Sequence, residues 1–153
     1  IVLVPHIFRD LEIIYKLINV LGDRLRRTRI RVASYSIGNT GAENLFGIYK
    51  ACKLSLGMRF HSNVLPLAFQ KNTLGLSCYP QIDNLYNELN LSENCIKVSS
   101  VGFKNELLNK SIKFLDLKKD LKIINAKKTV DCIQKELVCN LKIWLAEFFE
   151  INE

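Results

Sequence analysis

The chain has 153 residues, 48% of them hydrophobic, and a net charge of +7; that is enough apolar material for one ordinary domain with its own core, and neither a disulfide framework nor a structural metal is needed. No apolar run approaches the roughly 20 residues that span a bilayer, and the opening IVLVPHIF lacks the basic flank and cleavage site of a signal peptide. A cytoplasmic protein without a transmembrane segment is expected, at most peripheral to the inner face of the membrane.

IVLVPHI reads as a buried strand. The chain opens on Ile1 inside that pattern without an initiator methionine, so residues upstream are expected. Asp10 then caps a helix whose apolar face is Leu11, Ile14, Tyr15, Ile18, Leu21 and Leu25. RLRRTRIR holds five arginines (Arg24, Arg26, Arg27, Arg29 and Arg31). It has no interleaved aromatics and matches no nucleic-acid module, so it is read as a solvated turn with no nucleic-acid partner. IRVASY (30–35) is the second strand. Thr40 to Glu43 has the form of a capping box and opens a helix reaching Ala51.

Leu54 to Met58 make a third strand, Phe60 to Gln70 a helix, TLGLSCY a fourth strand, QIDNLYNEL a helix and CIKVSS a fifth strand. Strands that are apolar on both faces, separated by helices, predict a mainly parallel sheet covered on both sides. The fold class is therefore α/β: a Rossmann-like, doubly wound domain over 1–102, with extra C-terminal helices over 103–153 packing on the same domain. Leu107, Leu108 and Leu115, and then Val130, Ile133, Leu137, Leu141, Trp144 and Phe148, recur at helical spacing and read as core or interdomain packing. Lys118, Lys119, Lys122, Lys127 and Lys128 read as a wet face and connecting loop. The five cysteines (Cys52, Cys78, Cys95, Cys132 and Cys139) are odd in number and contain no C-x-x-C pair. They predict small buried or half-buried thiols and no metal site.

The chemistry concentrates in LGMRFHSNVLPLAF (56–69). In an open parallel sheet, ligands bind at the carboxyl ends of strands, where helix N-termini point unpaired amides into a crevice. Gly57 lets the backbone turn tightly or approach a ligand closely. Arg59 supplies a planar fork of donors for a carboxylate or phosphate. His61 can pass a proton near neutral pH. By spacing alone, R-x-H equally suits an arginine at a surface crevice and a histidine satisfied in the core. His6, at the end of the first strand pattern, either lines the same crevice or closes the strand.

The run from Leu54 to Val98, with its strand ending in Gly57-Met58-Arg59-Phe60-His61, resembles the carboxyl-terminal half of polysaccharide pyruvyl transferases, whose corresponding strand ends in G-M-R-L-H. The opening Val4-Pro5-His6 and the strand before Glu43 extend the likeness over roughly residues 1 to 98. The resemblance implies a GT-B-like arrangement of two Rossmann-like domains, of which this chain is the second, the N-terminal domain being absent. It implies phosphoenolpyruvate as donor, a glycan or lipid-linked sugar as acceptor, pyruvyl ketal formation in exopolysaccharide biosynthesis, and no cofactor or metal. In it Arg59 grips the donor's phosphate or carboxylate, the backbone near Phe60 and Gly57 assists, and His61 is the acid/base; this chain alone is expected to be inactive. The sequence departs from the family at three places. Cys78 to Ile82 replaces a Y-D-x-K-V turn, Gln70-Lys71-Asn72 replaces G-x-P, and Lys53 replaces an aspartate. The alternatives are a GT-B glycosyltransferase using a nucleotide sugar, and a non-enzymatic Rossmann-like interaction module.

Overall fold

The structure, a computed structural model, describes residues 1–117 and 120–150, with side chains as far as residue 143. Its central feature is a parallel sheet of β3 (Leu54–Gly57), β4 (Asn72–Ser77) and β5 (Cys95–Lys97) in the order β3-β4-β5. Leu54 lies opposite Asn72, Gly57 opposite Gly75, and Gly75 opposite Cys95. All six residues of β4 are buried, as a middle strand covered on both faces requires.

A second parallel pair joins β1 (Val2–Leu3) to β2 (Arg31–Val32), with Val2 opposite Arg31. The expected single sheet of five strands is thus a pair and a triplet, with no backbone ladder between β1 and β3 among the described residues. The first strand is also much shorter than IVLVPHI. Pro5 has no amide to donate, and the next two amides, of His6 and Ile7, turn to the Asp10 carboxylate at 3.0 and 3.2 Å. The chain is a mixed α/β arrangement of parallel strands and covering helices, compatible with a Rossmann-like domain.

The helices are α1 (Asp10–Val20), α2 (Asp23–Arg29), α3 (Gly38–Ala51), α4 (Phe60–Ala68), α5 (Pro80–Glu88), α6 (Phe103–Asp116) and α7 (Leu121–Glu150). Three differ from expectation at their starts or faces. Asp10 is the first residue of α1 and makes no side-chain bond to its own helix, because its carboxylate is taken by the loop before it. Leu11, Ile14, Ile18 and Leu21 are half-buried, whereas Tyr15 and Leu25 are exposed. The arginine run is a short helix rather than a turn, since Asp23 in its first turn pairs with Arg26 at 2.6 Å and Arg27 at 2.8 Å. α3 begins at Gly38, ahead of the Thr40–Glu43 box, and has no side-chain cap; the positive φ of Gly38, +77°, turns the chain into the helix two residues early.

Leu67 of α4, Ile82 and Tyr86 of α5, Leu91, and Ile123 and Ala126 of α7 form the buried apolar cluster. Both α4 and α5 stop in the same way. Gln70 (φ 54°) and Asn90 (φ 55°) take left-handed conformations. The following amides, of Lys71 and Leu91, reach back to the carbonyls of Pro66 (2.9 Å) and Tyr86 (2.7 Å). α6 packs on the sheet and buries Phe114. Its junction with α7 is held by the buried Asn72, whose amide donates to the Phe114 and Leu117 carbonyls at 2.8 and 3.1 Å while its oxygen accepts the Asp120 amide at 3.1 Å.

Past Ala126 the apolar stripe of α7 leaves the core: Val130, Ile133, Leu137 and Leu141 are exposed. Leu108 and Leu115 of α6 are exposed too, whereas Leu107 is half-buried. Trp144 and Phe148 lie outside the described side chains, and Lys118 and Lys119 outside the described residues. Cys52 and Cys95 are half-buried, but Cys78, Cys132 and Cys139 are exposed, the last two on the free stretch of α7. Among the described residues no helix is long and apolar enough to cross a membrane.

Candidate active site

A cleft of about 350 Å³ opens beyond the carboxyl ends of β1, β3 and β4. The segment after β1 contributes His6 and Ile7, the β3–α4 junction contributes Met58, Arg59, Phe60 and His61, and the start of α5 contributes Tyr79, Gln81 and Ile82. Three of the four expected site residues, Arg59, Phe60 and His61, therefore line one cavity, and His6 lines it with them. Gly57 does not. It is buried behind the cleft, and a Cβ there would stand 2.5 Å from Asn63 Oδ1. Its small size makes room for a side chain of its own domain rather than for a ligand.

The β3–α4 turn is built by short polar side chains. Arg59 is the N-cap of α4 in extended backbone. Ser62 accepts the Arg59 amide at 2.9 Å and bonds its carbonyl at 2.7 Å. The fully buried Asn63 donates to the Gly57 and Arg59 carbonyls at 3.1 and 2.8 Å and accepts the Tyr86 hydroxyl at 2.9 Å. Those bonds fix where Arg59 leaves the backbone. An asparagine directly ahead of the apolar run VLPLA was the available signal for this support.

Arg59 Nη2 meets Asp10 Oδ1 at 2.6 Å. Burial alone would raise the Asp10 pKa, but the bond from Arg59 and the His6 and Ile7 amides outweigh it and hold the carboxyl below the ordinary aspartate value. His6 Nε2 lies 2.6 Å from the hydroxyl of the buried Tyr49 on α3. Burial lowers the His6 pKa, Asp10 opposes that, and the nearby His61 and Arg59 lower it further. Burial likewise raises the Tyr49 hydroxyl well above the ordinary tyrosine value. The cleft thus gathers one guanidinium and two imidazoles around a single carboxylate that is already paired. Such a lining attracts anions and offers two proton-transfer groups. Asp10 and Tyr49 were not legible as site residues, since each meets its partner across more than 40 residues of sequence.

These residues fall inside the stretch that identifies the chain. The family model described as polysaccharide pyruvyl transferase matches residues 2–79, just over half of the 153 residues, and the chain belongs to that family. No curated protein and no solved structure matches it significantly. The family assignment suggests a transferase and implies a polysaccharide acceptor.

Proposed function

We propose that this chain is the donor-binding half of a cytoplasmic enzyme that moves the pyruvyl group of phosphoenolpyruvate onto two hydroxyls of a cell-surface glycan, vicinal or 4,6-spaced, with a preceding N-terminal domain completing a GT-B-like cleft. The observation that carries the reading is the convergence of Arg59 and His61 on one cleft at the strand ends. Phosphoenolpyruvate is strongly anionic, and a guanidinium at a helix start suits its phosphate or carboxylate. His61 then protonates the enol methylene, C2 becomes electrophilic, one acceptor hydroxyl adds there, the bond to the phosphate oxygen breaks and phosphate leaves. The second hydroxyl closes the ketal. A nucleotide-sugar site would want a carboxylate to hold a ribose, and the one beside this cleft, Asp10, is engaged by Arg59.

Titration of donor against the full-length enzyme, with turnover at saturation, tests the assignment. Arg59→Ala is expected to weaken phosphoenolpyruvate binding by about 1.5 to 3 kcal/mol, the cost of losing a partly solvated charge-assisted partner. His61→Ala is expected to lower kcat on the order of 10²- to 10⁴-fold with donor affinity nearly intact. A folded His61→Ala enzyme with wild-type turnover would reduce His61 to a structural residue.

A further inference from the structure

Ketal formation asks for a proton given to carbon and a proton taken from oxygen at one stage, which two groups serve better than one. The methylene of phosphoenolpyruvate gains a proton while the two acceptor hydroxyls lose one each, and the departing phosphate takes up the other. A group that donates to the methylene carbon and a group that accepts from the attacking oxygen act at the same stage. His61 is exposed at the first turn of α4. The same cleft is lined by a second imidazole, that of His6, half-buried and held by Tyr49.

We propose that His6 is the base that takes the proton of the attacking acceptor hydroxyl, with Nε2–H anchored on the Tyr49 oxygen and Nδ1 left for substrate. The inference rests on the pyruvyl-transfer reading above. Three observations carry it. His6 lines the same cleft as Arg59 and His61. Its Nε2 is fixed at 2.6 Å by a tyrosine that is only 5% exposed, so Nδ1 is the ring nitrogen left for proton transfer. Its backbone is fixed as well, because the His6 amide donates to the Asp10 carboxylate that also holds Arg59. The charged groups facing the ring are Asp10, His61 and Arg59; their balance with burial favours the neutral imidazole, the form a base must start in. In the step, His61 gives its proton to the methylene while Nδ1 of His6 takes the first hydroxyl's proton as that oxygen bonds to C2; His6 passes that proton to the phosphate as the C2–O bond to phosphate breaks, and the second hydroxyl returns its proton to His61 as it closes the ketal. Tyr49 is a positioning residue that holds the ring by Nε2, its hydroxyl oxygen accepting the Nε2 proton in the proposed tautomer.

The test has two arms. In ¹⁵N-histidine-labelled protein, His6 is expected to be neutral at pH 7 with its proton on Nε2, and Tyr49→Phe is expected to release that preference; an imidazolium at pH 7, or a proton on Nδ1, overturns the proposal. In turnover with phosphoenolpyruvate and a panel of methyl hexopyranosides, full-length His6→Gln is expected to lose about 100-fold or more in kcat, with donor KM changed by less than about 3-fold and the acid limb of the pH profile abolished. Tyr49→Phe is expected to lose about 10-fold and to shift that limb. Unchanged kcat and limb in His6→Gln overturn the role of His6. A wild-type enzyme that consumes no phosphoenolpyruvate defeats the donor assignment instead, and the His6 proposal falls with it while the labelled spectrum still reports the tautomer.

Discussion

Asp10 Oδ1 and Arg59 Nη2 meet at 2.6 Å although 49 residues separate them, and the same carboxylate accepts the amides of His6 and Ile7. One side chain therefore ties the segment after β1 to the cap of α4, across the two sheets. Asp10→Asn is expected to destabilise the fold by about 1 to 2 kcal/mol, a value between exposed and buried pairs because Arg59 is 41% exposed and screened by solvent. The pH dependence has a definite sign. The folded-state pKa of Asp10 lies below its ordinary 3.8, so its contribution is present above that value and lost as pH falls through the folded value. Urea titrations from pH 2.5 to 7 are expected to show a smaller acid-side slope for Asp10→Asn than for the wild type; equal slopes would remove Asp10 from the acid response.

Gly57 and Asn63 form a second coupled pair. Gly57→Ala puts a methyl 2.5 Å from Asn63 Oδ1, on a side chain held by three hydrogen bonds. The expected cost is about 2 to 4 kcal/mol, the range of overpacking plus a disturbed buried network. Asn63→Ala removes the obstacle but deprives the buried Tyr86 hydroxyl of its partner, at a similar cost. The double variant is expected to be more stable than the sum of the singles by about 1 kcal/mol or more, because the clash exists only while the Asn63 side chain remains. Additive losses in urea unfolding would contradict the contact.

The stretch from Leu54 to Tyr86 was legible because its signals are local. Leu54 to Gly57 and Asn72 to Ser77 are short apolar runs bounded by helices, and R-x-H sits where a strand must hand over to a helix. The amino-terminal region was misread where a single side chain redirects the backbone. Pro5 and the Asp10 carboxylate end β1 after two residues, and Asp23 converts an arginine run into a helix. The stripe on α7 was read from spacing alone, which reports an amphipathic helix but not how far its partner extends. For the same reason the site was half visible. Arg59 and His61 are neighbours in sequence, whereas Asp10, Tyr49 and Asn63 join them through contacts that no local pattern encodes.

The α5 side of the cleft is lined by Tyr79, Gln81 and Ile82 and brings no charged side chain to it. Gln81→Lys adds a cation to a cavity that already holds Arg59 and His61. On the proposed function, phosphoenolpyruvate is expected to bind about 3- to 10-fold tighter, corresponding to about 1 kcal/mol for a partly solvated charge, and the gain is expected to shrink with added salt. Unchanged or weaker donor binding at low ionic strength would argue that the anion sits away from the α5 wall.

The terminus of α4 offers the cleanest stability test. Gln70 stands at φ 54° and Asn90 at φ 55°, both one residue past the C-cap of their helices, with matching return bonds to Pro66 and Tyr86. A left-handed conformation costs a residue with a Cβ roughly 1 to 2 kcal/mol, less for asparagine, whose short side chain tolerates it. Part of that gain is offset because glycine has more freedom to lose on folding. Gln70→Gly is therefore expected to stabilise by about 1 kcal/mol, a rise of about 2 to 4 °C in Tm for a chain of this size. Asn90→Gly, in the same geometry, is expected to gain less than half as much. The two sites share backbone and differ in side chain, so the contrast isolates the conformational term from anything particular to one helix. If Gln70→Gly proved neutral or destabilising while Asn90→Gly gained, the Gln70 side chain would have to contribute a contact that outweighs its strained backbone.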